Sequence, residues 1–217
     1  MLKRILKITA LVLVLLLILA GAGIYYVGVH HREIWFDWVY RNPGGFNKEP
    51  NSLLVQTVSN VSPGKALDIA MGEGRNAVWL ATKGWDVTGF DVSNEGLRQA
   101  EEKAAKAGVA IHAINAKSED FDYGSEWWDL IVLSYAFTPI PDTDYIERLR
   151  NSLKPGGLLV YEHYQQMAID IVPGAMHAGE APKIFSNFKI LKFEEPVTGG
   201  DWANRITFPL VRLVATR

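Results

Sequence analysis

The sequence predicts an α/β domain built on a doubly wound, mostly parallel, seven-stranded sheet with a C-terminal antiparallel hairpin, preceded by one transmembrane helix. Three observations carry that expectation. From Lys65 onward, apolar runs of strand length alternate with helical patterns, the signature of strands joined by crossovers in a parallel sheet. The last two strand-like runs, Lys189–Glu194 and Leu210–Thr216, have no room for a crossover helix between them, so they should pair antiparallel at one edge. Finally, Ile8 to Val29 is 22 residues without a charge, 18 of them hydrophobic, enough helix to cross a bilayer core of about 30 Å. These divide the chain into a segment 1–29, a linker or lid 30–50 and a domain 51–217.

The elements follow in order. Lys3, Arg4 and Lys7 precede the apolar run; Tyr25 and Tyr26 near its far end suit an interfacial aromatic belt. The same run fits a cleaved signal peptide, with Met1–Lys7 as basic region and Ala20-Gly21-Ala22 as cleavage site. A buried core helix is disfavoured because the pattern is apolar on every face. Arg32, Arg41 and Lys48 follow the run within about 20 residues, three charges against three, but the N-terminal cluster is denser and has the free amine beside it, which leans towards a cytoplasmic N-terminus and a domain on the outer side without fixing it. Residues 30–50 are aromatic and broken at Asn42-Pro43-Gly44-Gly45. Ser52–Val61 reads as a helix, Lys65–Ala70 as a strand, Gly74–Thr82 as a helix and Trp85–Asp91 as a strand. Ser93 caps a helix whose apolar stripe is Leu97, Ala100, Ala104 and Ala107, stopped by Gly108. Val109–Asn115 and Trp128–Ser134 read as strands, Thr143–Leu153 as a helix closed by Lys154-Pro155-Gly156-Gly157, Leu158–Tyr161 as a strand, and Pro182–Phe188 as helical.

Composition narrows the class. The chain has 217 residues, 48% hydrophobic, 21% charged, net charge −2. Without residues 1–29 the charge becomes −5, because Lys3, Arg4 and Lys7 go, and the hydrophobic share falls to roughly 44%, an ordinary globular value. No later run is long and uncharged enough for a second span. The absence of cysteine excludes a disulfide scaffold, and the acidic balance argues against a nucleic-acid partner.

In doubly wound sheets ligands bind beyond the carboxyl ends of the strands. Those ends carry Ala70-Met71-Gly72-Glu73-Gly74, Asp91, the Ala116–Glu119 turn, Ser134-Tyr135 and Glu162-His163-Tyr164. Gly72 and Gly74 allow a tight turn before a helix whose free N–H groups favour an anion. Asp91, seventeen residues after Gly74, can accept bonds from both hydroxyls of a ribose. Together these imply a ribose-bearing cofactor. Gly72-Glu73-Gly74-Arg75-Asn76-Ala77 also satisfies a nicotinamide fingerprint, which keeps an NAD-dependent oxidoreductase open. Asp68 inside its strand, the Lys154–Gly157 turn and the closing hairpin tip the reading away from it.

The runs Ala66–Asn76, Gly89-Phe90-Asp91-Val92-Ser93, Trp128-Asp129-Leu130-Ile131-Val132 and Leu153-Lys154-Pro155-Gly156-Gly157 resemble the class I S-adenosylmethionine-dependent methyltransferases, a Rossmann-like fold. The chain is most similar to their small-molecule subgroup around the tellurite-resistance and thiopurine methyltransferases; Trp38-Val39-Tyr40, Phe46 and Glu49-Pro50-Asn51 resemble that subgroup's lid. The resemblance covers about Trp38–Arg217 and implies methyl transfer from S-adenosylmethionine to a small molecule; the net charge of −5 argues for no nucleic acid as acceptor, and the absence of metal-ligand spacing for no metal. The resemblance also implies that Asp68 meets the cofactor's amino group, Ala70, Gly72 and Gly74 line its amino-acid end, and Asp91 holds the ribose. Val92 would pack on the adenine, Ser118 and Glu119 meet its edge, and Ser134 face the methionine portion. Ala70 departs from the family's glycine and Lys117 from its usual acidic residue. If a base is needed, Tyr135 and His163 are the candidates.

Blander readings stand beside these. Asp91 also suits a helix cap, Asp68 a structural role, and Tyr135, His163 and Tyr164 core or rim positions with no chemical role. His30-His31, His112 and His177 lack metal-ligand spacing and read as surface residues; Trp127-Trp128 reads as strand packing. A non-catalytic, membrane-anchored domain of the same fold is the third reading.

Overall fold

The computed structural model describes residues 2–42, 44, 46–166, 172–202 and 207–217. Three helices, α1 (Leu2–His30), α2 (Arg32–Arg41) and α3 (Ser52–Val58), precede β1 (Lys65–Ile69). Then come α4 (Arg75–Thr82), β2 (Asp86–Asp91), α5 (Asn94–Ala107), β3 (His112–Asn115) and β4 (Trp128–Ser134). The chain finishes with α6 (Thr143–Ser152), β5 (Leu153–Tyr164), α7 (Ala181–Ile184), β6 (Lys189–Glu194), β7 (Val197–Gly199) and β8 (Thr207–Thr216).

Among the described residues eight strands form one sheet, in the order β3-β2-β1-β4-β5-β8-β6, with β7 also on β8. β1 to β5 are mutually parallel; β8 runs antiparallel to both β5 and β6. The expected doubly wound sheet and C-terminal antiparallel element are therefore present, but β8 inserts between β5 and β6 and the short β7 adds an eighth strand. Lys154-Pro155-Gly156-Gly157 is no stop. It lies within β5 as a bulge, where the register jumps from Trp128↔Leu153 to Leu130↔Leu158. The connection from β3 to β4 carries no helix; Phe121 and Tyr123 pack on Phe90 instead, at ring distances of 4.4 and 6.1 Å. Residues 30–50, read as linker, hold the helix α2.

Alternation along β1 and β4 divides the core into two layers. Leu67, Ile69, Ile131 and Leu133 face α6 and α7, while Ala66, Leu130 and Val132 face α3, α4 and α5 through Leu54, Leu80 and Leu97. The strand order reverses between β1 and β4, so the crevice required of such a sheet opens beyond their carboxyl ends.

Of α1, the side chains described are those of residues 7, 9–23, 26 and 27. Leu11 to Leu19 are all between 48% and 72% exposed. Residues 9–23 amount to about 22 Å of helix, and among the described residues no helix is long and apolar enough to cross a membrane. Ile8, Ile24, Tyr25, Gly28 and Val29 of the expected span lie outside the described side chains.

Candidate functional site

A cavity of about 420 Å³ opens at the carboxyl ends of β1, β2 and β4. Its floor is the β1–α4 turn. There Ala70, Gly72 and Gly74 all take positive φ, at 54°, 55° and 72°. Gly72 needs to be glycine on two counts: its φ, and a Cβ that would collide with the Tyr40 hydroxyl. Ala70 adopts the left-handed conformation with a side chain, at a cost of about 1–2 kcal/mol.

Asp68 and Asp91 reach the cavity from β1 and β2, both almost wholly buried. Asp91 is tied into the backbone: one oxygen accepts from the Gly72 N–H (2.9 Å) and the other from the Ser93 N–H (2.8 Å). Burial pushes its pKa up to about 6, against the N–H groups of Ser93, Gly72 and Val92, which pull it down. Asp68 is less well served. Its Oδ2 has no hydrogen-bond partner among the described residues, and burial pushes its pKa up to about 7 despite the nearby Arg75 guanidinium and the Ala77 N–H. An orphaned buried carboxylate oxygen is costly unless something donates to it.

Other expected residues fall around the same space. Ala70, Val92, Ser118, Glu119 and Ser134 line the cavity, as does Lys117. Gly72 and Gly74 shape the floor without lining it. Ser134 accepts from Arg75 Nη2 (3.2 Å), and Glu119 pairs with Arg32 at the exposed rim (3.5 Å).

The two candidate bases fare differently. Tyr135 lines the cavity, but its hydroxyl donates to Glu162 Oε1 (2.7 Å) and accepts from the Asp201 N–H (2.7 Å). Burial and the Glu162 carboxylate hold its pKa far above the usual phenol, so it keeps its proton. His163 is 1% exposed and absent from the cavity wall, packed among Tyr135, Phe137 and Tyr161. Burial lowers its pKa to about 4 and keeps it neutral. Neither is placed to take a proton from an acceptor. Trp128 is buried as expected, whereas Trp127 is exposed beneath Lys65 Nζ (4.4 Å), outside the strand packing. His31 and His112 are exposed.

Several wall residues were not singled out from sequence. Arg75 is buried, its Nη1 donating to the carbonyls of Glu49 (3.0 Å) and Asp201 (3.1 Å). A cation at the positive start of a helix is unfavourable, so Arg75 directly after the glycine turn was a readable sign of a second duty. Phe36 and Phe137 meet edge-on at 5.3 Å, and Phe46, which belongs to the lid resemblance, stacks on Trp202 at 4.5 Å. Asp201 fixes that second pair: it accepts from Asn47 (2.8 Å), Asn51 (2.8 Å) and the Ser52 N–H (3.0 Å).

A glycine turn with positive-φ residues, a buried carboxylate on each of two neighbouring strands and an aromatic wall thus surround one cavity at the carboxyl ends of the strands. Residues 66–157, 92 of the 217, match the family described as Methyltransferase domain. An uncharacterized methyltransferase of Synechocystis is 33% identical over 135 residues, covering 57% of this chain and 61% of that protein. The thiopurine S-methyltransferase of Vibrio atlanticus is 26% identical over 190 residues, covering 78% of this chain and 88% of its own. The crystal structure of TehB from Haemophilus influenzae superposes with a TM-score of 0.66 at 19% identity, over 77% of this chain and 62% of that one; this similarity concerns the fold. The chain spans 61%, 51% and 23% of the lengths of the first curated relatives it matches.

Proposed function

We propose that the chain is an S-adenosylmethionine-dependent methyltransferase acting on a small molecule. One observation carries this reading: Asp68, in the cavity lining beside the glycine turn, is buried with an Oδ2 that has no hydrogen-bond partner among the described residues. The residues present fit the cofactor. Asp68 supplies an acceptor for an ammonium group, Asp91 retains lone pairs for ribose hydroxyls, and Val92 with Phe90 offers an apolar wall for the base. When bound, the sulfonium supplies an electrophilic methyl group that needs little further activation.

The chain's own residues then hold and align. Arg75 locks the 49–51 segment and the Asp201 turn against Ser134. Phe36, Phe46, Phe137 and Trp202 exclude water and flank the acceptor. Holding two reactants in line contributes up to about 7–11 kcal/mol in favourable systems. Since Tyr135 keeps its proton and His163 lies off the wall, neither serves as a base, and the acceptor favoured here is one needing little base help, such as a thiol. The thiopurine methyltransferase relative supports a small, soft acceptor.

We further propose that the protein is a single-pass membrane-anchored enzyme, held by residues 8–29. Support comes from the 22-residue charge-free run, the unbroken helix Leu2–His30 and the exposed leucines of its described part. Incubation with methyl-labelled S-adenosylmethionine and a panel of aryl and alkyl thiols tests the activity. Labelled thioether is the expected product; hydroxyl acceptors methylated in preference to thiols would refute the base-free assignment.

A further inference from the structure

We infer that α2 is a lid lying on the lipid surface, with Ile34 and Trp38 among the headgroups, so that the cavity's mouth opens at the membrane interface. This rests on the anchor proposed above and deepens it, because it names where the acceptor enters.

One face of α2 belongs to the site: Arg32, Phe36 and Tyr40 line the cavity. The helix is pinned there by Asp37, whose Oδ1 accepts from Ser93 Oγ (2.6 Å) and the Glu95 N–H (3.1 Å), and by the Tyr40 carbonyl, which accepts from Gln99 (2.9 Å). Pinning one face fixes the other outward. That outer face carries Ile34 and Trp38, 57% and 58% exposed and one helical turn apart. These two large apolar side chains form an outward apolar pair on the lid, and tryptophan is characteristic of the bilayer interface.

Lipid is the occupant because of what is continuous with this face. α2 begins two residues after α1 ends, with the His31 N–H donating to the Val27 carbonyl (2.8 Å). The described side chains 9–23 are exposed on every side of α1. A protein partner covers one stripe of a helix, whereas hydrocarbon covers all of them. The charge-free run ends at Val29, and Arg32 follows three residues on, across the break at His31 between α1 and α2, so it lies within about 10 Å of the run's end. A headgroup layer is about 5–7 Å deep on each side of the core. Arg32 bonds the Phe137 carbonyl (3.2 Å) and pairs with Glu119 (3.5 Å), both partly exposed at the rim. The rim is therefore a headgroup-depth feature, and the acceptor that reaches it most readily is an amphiphile partitioned in that layer.

The chain has no cysteine, so single labels are clean. The full chain is reconstituted in phosphatidylcholine/phosphatidylglycerol nanodiscs carrying headgroup nitroxides. An environment-sensitive fluorophore is placed through Ile34→Cys, Trp38→Cys, Glu119→Cys and, as control, Trp127→Cys at the opposite end of β4. Loss of fluorescence at positions 34, 38 and 119 with none at 127 is the expected result. Equal intensity at 34 and 119 with and without nitroxide would overturn the inference, as would a blue shift there without quenching, which signals a protein partner. S-adenosylhomocysteine binding is measured on the same discs: its loss in the unlabelled protein counts against methyl transfer and leaves the quenching result standing.

Discussion

Asp68 and Glu162 are both buried carboxylates near the carboxyl ends of parallel strands, and their surroundings differ in kind. Glu162 is completely served: Tyr135 (2.7 Å) and Asn51 (2.9 Å) donate to one oxygen and Arg212 Nε (2.6 Å) to the other. Asp68 keeps one oxygen with no partner among the described residues. A satisfied buried carboxylate stiffens its neighbourhood; an unsatisfied one is a cost that a ligand can remove. In the proposed function the cavity has a rigid acceptor side, organised by Glu162 and Asp201, and a cofactor side on which the cofactor's amino group would donate to Asp68.

The largest expected effect falls on the satisfied side. Glu162→Ala should destabilise the fold by about 3–5 kcal/mol, because it strands Arg212, Asn51 and the Tyr135 hydroxyl. Thermal unfolding checks this. Asp68→Asn should do the reverse: S-adenosylhomocysteine affinity should fall by about 1.5–3 kcal/mol with no loss of thermal stability at pH 8. A stability loss resembling that of Glu162→Ala would erase the contrast.

The contrast sharpens with pH. Between about pH 4 and pH 7 folded Asp68, raised to about 7, binds more proton than the unfolded chain. Ligand-free stability should therefore fall as pH rises through that window. Binding of an ammonium group needs the carboxylate, so S-adenosylhomocysteine affinity should rise from pH 5.5 and level off above about pH 7, with a slope of at most tenfold per unit. Calorimetry across that range checks both, and Asp68→Asn should flatten the affinity profile. The smallest effect is Ala70→Gly. Relief of the left-handed strain, about 1–2 kcal/mol, is offset by the greater freedom of glycine in the unfolded chain. A net gain under about 1 kcal/mol by denaturant titration is expected.

Much of the cofactor side was legible because it is local: β1, the glycine turn, α4 and the end of β2 lie within 27 residues, Lys65 to Asp91. Periodicity also gave the alternation up to β5. The acceptor side was not legible, since Asp201 and Trp202 follow a three-residue strand and meet Asn47, Phe46 and Tyr135 only through long-range folding. The aromatic, breaker-rich composition of residues 30–50 hid α2, whose tertiary contacts with α5 outweigh weak propensity. Tyr135 and His163 were named by position at strand ends, but burial and the Glu162 hydrogen bond govern their protonation, and neither is visible in sequence.

The most direct test is titration of the full chain with S-adenosylhomocysteine and, separately, NADH, repeated on Asp91→Ala. Binding of S-adenosylhomocysteine alone, weakened by about 1.5–3 kcal/mol in the variant, is the expected result. Tight NADH binding without S-adenosylhomocysteine binding, or an Asp91→Ala affinity equal to that of the parent, would contradict the account.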